Sequence, residues 1–227
     1  TGISTNNKTG FPTPYQPNNK YAKQQYIYTA SELRAAGLQE GYIDMISFDL
    51  DSIYGDSTSL NFTEYTISMG LTGDTTFATT TSWKTTTQVY HRSPMTITRA
   101  DCHNWMSHRL DTPFYWDGVS SVVVQLVHYI SSTYTSGVQS RYSTKSNATL
   151  YKNANSDLSP STAEFVGTGQ RSNNRPNILF GSVSYGCTGP ITPYEVQMTN
   201  APASDAALLW PNGIDTVEFN SCAVSQL

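Results

Sequence analysis

The sequence predicts an all-β fold, a jelly-roll-like β-sandwich with one short helix, on three observations. The first is the stretch Phe114–Ile130, FYWDGVSSVVVQLVHYI, in which an aromatic lead-in and an Asp117-Gly118 turn precede a long strand. On that strand Val122, Val124, Leu126 and Ile130 share one face, and Val123, Val127 and Tyr129 share the other. A strand apolar on both faces must be covered on both sides, so it belongs in the middle of a packed sheet. The second observation is the run of eight or more short β-type segments at close spacing, separated by turn residues. The third is composition. Only 13% of residues are charged against 37% hydrophobic, and Tyr (15 residues), Thr, Ser and Asn abound. That is the profile of an extracellular β-protein with hydroxyl-rich solvent faces.

Residues 1–25 carry Pro12, Pro14 and Pro17 among Asn, Thr and Gly, and read as an extended lead-in pinned to the body by Phe11, Tyr15 or Tyr21. The sandwich proper spans 26–184. Tyr26–Tyr28 reads as a strand, and Thr29 with Glu32 makes a capping box for a helix with Leu33 and Ala36 on its apolar side and Gly37 as its stop. Strands follow at Tyr42–Leu50 and Tyr65–Leu71, the latter alternating cleanly. Thr72–Thr87 has ten hydroxyl residues in sixteen, so it reads as a solvated loop whose Phe77 and Trp83 dock on the sheet edge. Gln88–Tyr90, Met95–Thr98 and Trp105–Leu110 are further short strands, and Ser131–Lys145 reads as a polar connection. Thr149–Tyr151, Ala163–Val166 and Asn177–Val183 complete the set.

From about Tyr185 the texture changes. Tyr194, Val196 and Met198 alternate with polar residues and lead into a linker at Asn200–Ser204, after which Ala206–Trp210 and Thr216–Phe219 read as the first strands of another unit. The 23 residues after Ser204 are too few to bury a core, so 185–227 is expected to be a linker and a partial β module of a longer chain. Of three cysteines, Cys187 and Cys222 bracket this tail and are the favoured pair, leaving Cys102 over; the alternative is that these two stay free.

A net charge of −4 gives no electrostatic basis for binding nucleic acid, and no apolar run approaches the length of a spanning helix. No Gly-rich phosphate loop or Gly-x-Ser-x-Gly elbow is present, and no spacing argument brings two carboxylates to the separation that glycoside hydrolysis requires. A non-catalytic role is the expectation. Asp101, Cys102, His103, His108 and Asp111 resemble metal ligands by type, but five-residue spacing would put the two histidines on opposite faces of a strand. Asp49, Asp51 and Asp56 gather carboxylates about Gly55, either as a solvated acidic turn or as a structural calcium loop, although the spacing is not that of an EF-hand. Trp83, in the hydroxyl-rich loop, is the candidate exposed ring for stacking on a glycan, whereas Trp116 belongs to the core. Asn7, Asn61 and Asn147 head Asn-x-Thr triplets.

Several of these segments together resemble a β-sandwich module of large secreted surface proteins of gliding and other Bacteroidetes bacteria, exported by the type IX secretion pathway. They are Pro14-Tyr15, Gln25–Gly41, Ile43–Phe48, Asn61–Gly70, Thr112–Val124 and Arg175–Gly181, in the expected order over residues 14 to 183. Ser121 stands where the family has Asn, and His103-Asn104-Trp105 where it has Gly-Trp-Asn. The resemblance implies export, a cell-surface location and a non-catalytic module of an adhesin or gliding filament. It also implies that the chain runs on from Cys187 into an Ig-like module and works among neighbouring β modules. Ser52 and Thr216 stand in Asp-Ser/Thr-apolar triplets like those at which such bacteria attach O-glycans. Because the family's modules also accompany enzymes, a carbohydrate-binding accessory domain of a secreted hydrolase is the alternative to an adhesive spacer.

Overall fold

The computed structural model describes residues 8–9, 13–135, 137–155 and 167–183. The expected strand at 163–166, the linker and β module at 185–227, and with them Cys187, Cys222 and Thr216, lie outside the described residues. In order, the elements are β1 (Lys8–Thr9), β2 (Tyr21–Tyr28), α1 (Ala30–Ala35), β3 (Gly41–Tyr54), β4 (Ser59–Phe62), β5 (Glu64–Thr72) and β6 (Thr87–Arg92). They continue with β7 (Met95–Thr98), a single 3-10 turn, β8 (Asn104–Trp116), β9 (Ser121–Tyr129), β10 (Gly137–Ala154), β11 (Gln170–Pro176) and β12 (Ile178–Val183). All pairings among them are antiparallel.

The result is the expected all-β, jelly-roll-like sandwich, bent until it nearly closes. One layer holds β8, β3 and β12 with the first part of β10; the other runs β6-β5-β9-β2-β10-β11. β10 belongs to both layers. Its residues Gly137–Ser140 pair with β3, and after a register shift Thr149–Ala154 pair with β2. Strands that change sheet in this way do so at bulges, and Asn147, at φ 47°, sits in the irregularity between Thr144 and Thr149. At the opposite seam no ladder joins β6 to β8; instead the Asp111 carboxylate accepts from the His91 backbone N–H at 2.9 Å and from Arg92 Nη1 at 2.8 Å. The small β4–β7 sheet contributes Leu60, Phe62, Met95 and Ile97 to the same core.

β9 is the central strand, paired along its length with β2 on one side and β5 on the other. Val122, Val124 and Leu126 face the core between the layers, against Tyr26, Tyr65, Ile67 and Phe48. Val123 faces outward into a second apolar cluster with Ile27, Leu150 and Phe77, with Trp83 packed against it. Thr72–Thr87 is therefore a lid over the face of the sheet, not a solvated loop at its edge. Gln25, buried on β2, fixes it by accepting from the Lys84 N–H at 2.8 Å and donating to the Lys84 carbonyl at 2.7 Å. Phe77 donates its N–H to the Asn147 carbonyl at 2.8 Å, using the oxygen that the β10 irregularity releases.

The helix forms where the capping box places it. Thr29 accepts from the Glu32 N–H, and Glu32 Oε2 accepts from the Thr29 N–H at 3.0 Å. At the other end the Leu38 N–H reaches the Leu33 carbonyl and the Gly37 N–H reaches that of Arg34, both at 3.0 Å, with Gly37 at φ 92°. This is the left-handed stop that glycine makes without a Cβ penalty. Asp117–Ser120 is not a hairpin: β8 pairs in one layer and β9 in the other, so the turn arches between sheets. The Asp117 carboxylate holds the arch through the N–H groups of Val119 and Ser120, and buried Trp116 donates Nε1–H to the Ser120 carbonyl at 2.8 Å.

Several boundaries differ from the sequence expectation. The extended lead-in ends at Tyr21, where β2 begins, and the polar connection 131–145 contains the first half of β10. β3 runs on through Tyr54, so Asp49 and Asp51 are strand residues rather than turn residues. Phe114–Trp116 belongs to β8, and β4 and β11 were not anticipated.

Candidate functional site

The predicted site residues are scattered. Asp49 and Asp51, buried on the outer side of β3, face Arg141 of β10, whose Nη2 lies 2.9 Å from Asp51 Oδ1 and whose Nε lies 3.6 Å from Asp49 Oδ1. The two carboxylates that the sequence offered for calcium thus share a guanidinium partner. Asp56 lies beyond the strand end, exposed, and joins neither. Among the described residues no three His, Cys, Asp or Glu side chains are grouped to hold a metal ion. Burial pushes the Asp49 carboxyl upward against the hydrogen bond from Asn177 and the charge of Arg141.

His103 is not on a strand at all. It stands at φ 57° in the turn before β8, exposed, with its N–H on the Asp51 carbonyl at 3.2 Å. His108 is buried in the core, its Nε2 2.6 Å from the Tyr15 hydroxyl and its ring stacked on Tyr65. Burial, with a smaller contribution from Arg92, lowers its pKa to about 3, so it is neutral at ordinary pH. Cys102 is a half-buried free thiol whose pKa burial raises, the opposite of an activated nucleophile. Trp83 is half-buried rather than exposed: its indole N–H is taken by the Gly167 carbonyl at 2.8 Å and Lys23 Nζ sits 4.7 Å over its ring. Ser52 lies on β3, its hydroxyl bonded to Asp51 Oδ2 and Gln139 Oε1.

Two features that the sequence did not flag flank the helix. The first is a patch of exposed rings. Tyr42 and Tyr115 are direct cross-strand partners on β3 and β8, 43% and 45% exposed, with centroids 5.3 Å apart in a T-shaped arrangement. The Tyr115 hydroxyl donates to Glu40, and the arch beside it presents Val119, 73% exposed. In a fold that buries Tyr15, Tyr26 and Tyr65 completely, two exposed rings packed on each other are a departure, as is the single exposed ring of Tyr54. Tyr42 was read as a strand former and Tyr115 as part of an aromatic lead-in, because alternation says which side a residue faces and not whether that side is covered.

The second feature is a cleft of about 360 Å³ between α1 and the corner where β11 passes into β12. Leu33 and Leu38 line it from the helix side, Ile178 and Phe180 from β12, and Arg175 lies in its wall with its guanidinium stacked 4.4 Å over Tyr28. Arg175 Nη1 donates to the Ile27 carbonyl at 2.6 Å and to Glu32 Oε2 at 3.1 Å, and Nη2 donates to Glu32 Oε1 at 3.0 Å. Lys145 Nζ lies 3.4 Å from the same Oε1. Burial alone would raise the Glu32 carboxyl, but the hydrogen bonds from Arg175 and Thr29 outweigh it and hold it at about 2. Among the described residues the buried Arg175 Nε–H has no hydrogen-bond partner, a condition that costs about 1–3 kcal/mol in a folded protein. The one sequence signal for this site was a cation inside the apolar run Arg175–Gly181. Its partner lay 143 residues away in a capping box whose local role already accounted for it.

Among the described residues no helix is long and apolar enough to cross a membrane. No protein-family model matches the chain, and no curated protein matches it.

Proposed function

We propose that the chain is a non-catalytic module of a secreted cell-surface protein, a β spacer that also adheres, with the tyrosine patch at Tyr42, Tyr115 and Val119 as its contact face. The observation that carries this reading is the exposed cross-strand ring pair. Tyrosine supplies large, rigid contact area with a polar tip, and it is enriched where proteins meet partners. Glu40, bonded to the Tyr115 hydroxyl, adds an acceptor beside the rings. The hydroxyl-rich surface and low charge suit an extracellular setting, and the resemblance described above supplies the expectation of export to the cell surface.

The test is retention of the protein on immobilised glycans and on abiotic polar surfaces, compared between the wild type and Tyr42→Ala/Tyr115→Ala. Both positions are exposed, so the double variant keeps its fold. A loss of at least tenfold in retention supports the contact face. Selective binding to one sugar class, lost in the same variant, identifies the alternative, a carbohydrate-binding accessory domain. Unchanged retention in the double variant removes the patch as the adhesive surface.

A further inference from the structure

We propose that the outer face of the β10-β2-β9-β5 sheet, at the margin of the 72–87 lid, binds an acidic oligosaccharide whose carboxylate is taken by Lys23 and Lys152. These lysines are direct cross-strand partners on β2 and β10, and like charges placed opposite each other destabilise a sheet. Lys23 is 8% exposed; its stem is buried while its ammonium is only half enclosed, 4.7 Å over the Trp83 ring. Burial and the Lys152 charge both lower its pKa, and among the described residues no carboxylate offsets them. A half-buried ammonium met by the face of a ring and by a second cation lacks an anion, and an oxyanion lying between the two lysines would supply one.

The register extends the pair into a strip. Lys152, Lys23, Val127 and Thr66 lie opposite one another across four strands on the outer face, about 14 Å at the usual strand spacing. Two cations, an apolar side chain and a hydroxyl in one row match a sugar acid, which offers a carboxylate, a C–H face and hydroxyls in one flat unit. Tyr21 and Tyr129, stacked at 4.9 Å, form the next row and border the strip with rings. Glu64, on the same face opposite Tyr129, is engaged by His91 and Ser93. The Trp83 N–H is already taken by the Gly167 carbonyl, so the ring positions Lys23. A net charge of −4 opposes a long, densely charged polyanion, which favours a sugar chain with one charge per ring. The tyrosine patch is on the other layer, and either site can fail without the other.

The experiment titrates tetragalacturonate into the ¹⁵N-labelled protein and follows the Trp83 indole N–H and the Val127 amide, with the fully methyl-esterified tetramer as the neutral comparator. Saturable binding that moves both resonances, weakens with salt and is about tenfold weaker for the ester supports the proposal. Lys23→Gln should weaken the acid about tenfold and leave the ester unchanged, Lys23→Arg should retain binding, and Lys152→Gln should weaken the acid several-fold. Tyr42→Ala/Tyr115→Ala should bind tetragalacturonate as the wild type does. Equal affinity for acid and ester, absence of saturable shifts, or undiminished binding in Lys23→Gln overturns the proposal. Inorganic phosphate or a tetraglutamate peptide binding as tightly as the uronate also overturns it, because the pair would then be a general anion or acidic-peptide site. Should Lys23→Gln not fold, the comparison of acid with ester in the wild type and in Lys152→Gln still decides.

Discussion

Lowering the pH from 7.5 to 5 should destabilise this fold through its two buried histidines. His108 is 1% exposed and ringed by Tyr15, Phe48, Tyr65 and Tyr90, with no carboxylate in contact to support a charge. Its folded pKa is about 3, against 6.5 for a free histidine. Because the folded value is depressed, the unfolded chain takes up the proton first. The stabilisation is complete above pH 6.5 and drains away as the pH falls through the window down to about 3. At 1.36 kcal/mol per unit the loss from His108 reaches about 2 kcal/mol by pH 5. His128, buried against Phe62 and lowered to about 4 by the same desolvation, adds a similar loss. Glu32, at about 2, begins to matter only below pH 4.5, so the interval belongs to the histidines. Urea unfolding at the two pH values should therefore show a drop of about 4 kcal/mol in the wild type and about 2 kcal/mol in His108→Gln. A wild type equally stable at both pH values, or a His108→Gln variant with the full drop, would refute the reasoning.

The lid and the helix cap give two sharper local tests. A Cβ at Gly70 would collide with the Thr85 carbonyl, so Gly70→Ala should push Thr72–Thr87 off the sheet at a cost of about 1–3 kcal/mol; a red shift in Trp83 emission reports the displacement, and an unshifted spectrum at unchanged stability contradicts it. Thr29→Ala removes the side chain that caps α1 and one acceptor bond of Glu32, so thermal unfolding should show a loss of about 1 kcal/mol.

What the sequence disclosed was local. Val122–Leu126 announced a central strand because both of its faces are covered, and Thr29, Glu32 and Gly37 marked a helix whose ends are satisfied within a few residues. What it withheld depends on long-range partners. β10 is polar along most of its length because one layer's outer face follows another's, so no single alternation pattern survives its passage. Asp49 and Asp51 read as a turn until Arg141 arrives from β10 to pair with them within a strand. His108 was set beside His103 by proximity in sequence, and only the Tyr15 hydroxyl shows why it lies inside. Trp83 looked like a free ring because nothing nearby in the chain predicts that Gly167 will take its N–H.

The passage of β10 from one layer to the other has a mechanical consequence. Each sheet is laced to its neighbour by the same length of backbone, so the layers cannot slide or hinge past each other without tearing that strand's ladder on one side. A pull delivered to either sheet is handed on through continuous chain as well as through the shared core and the Asp111 bonds at the opposite seam.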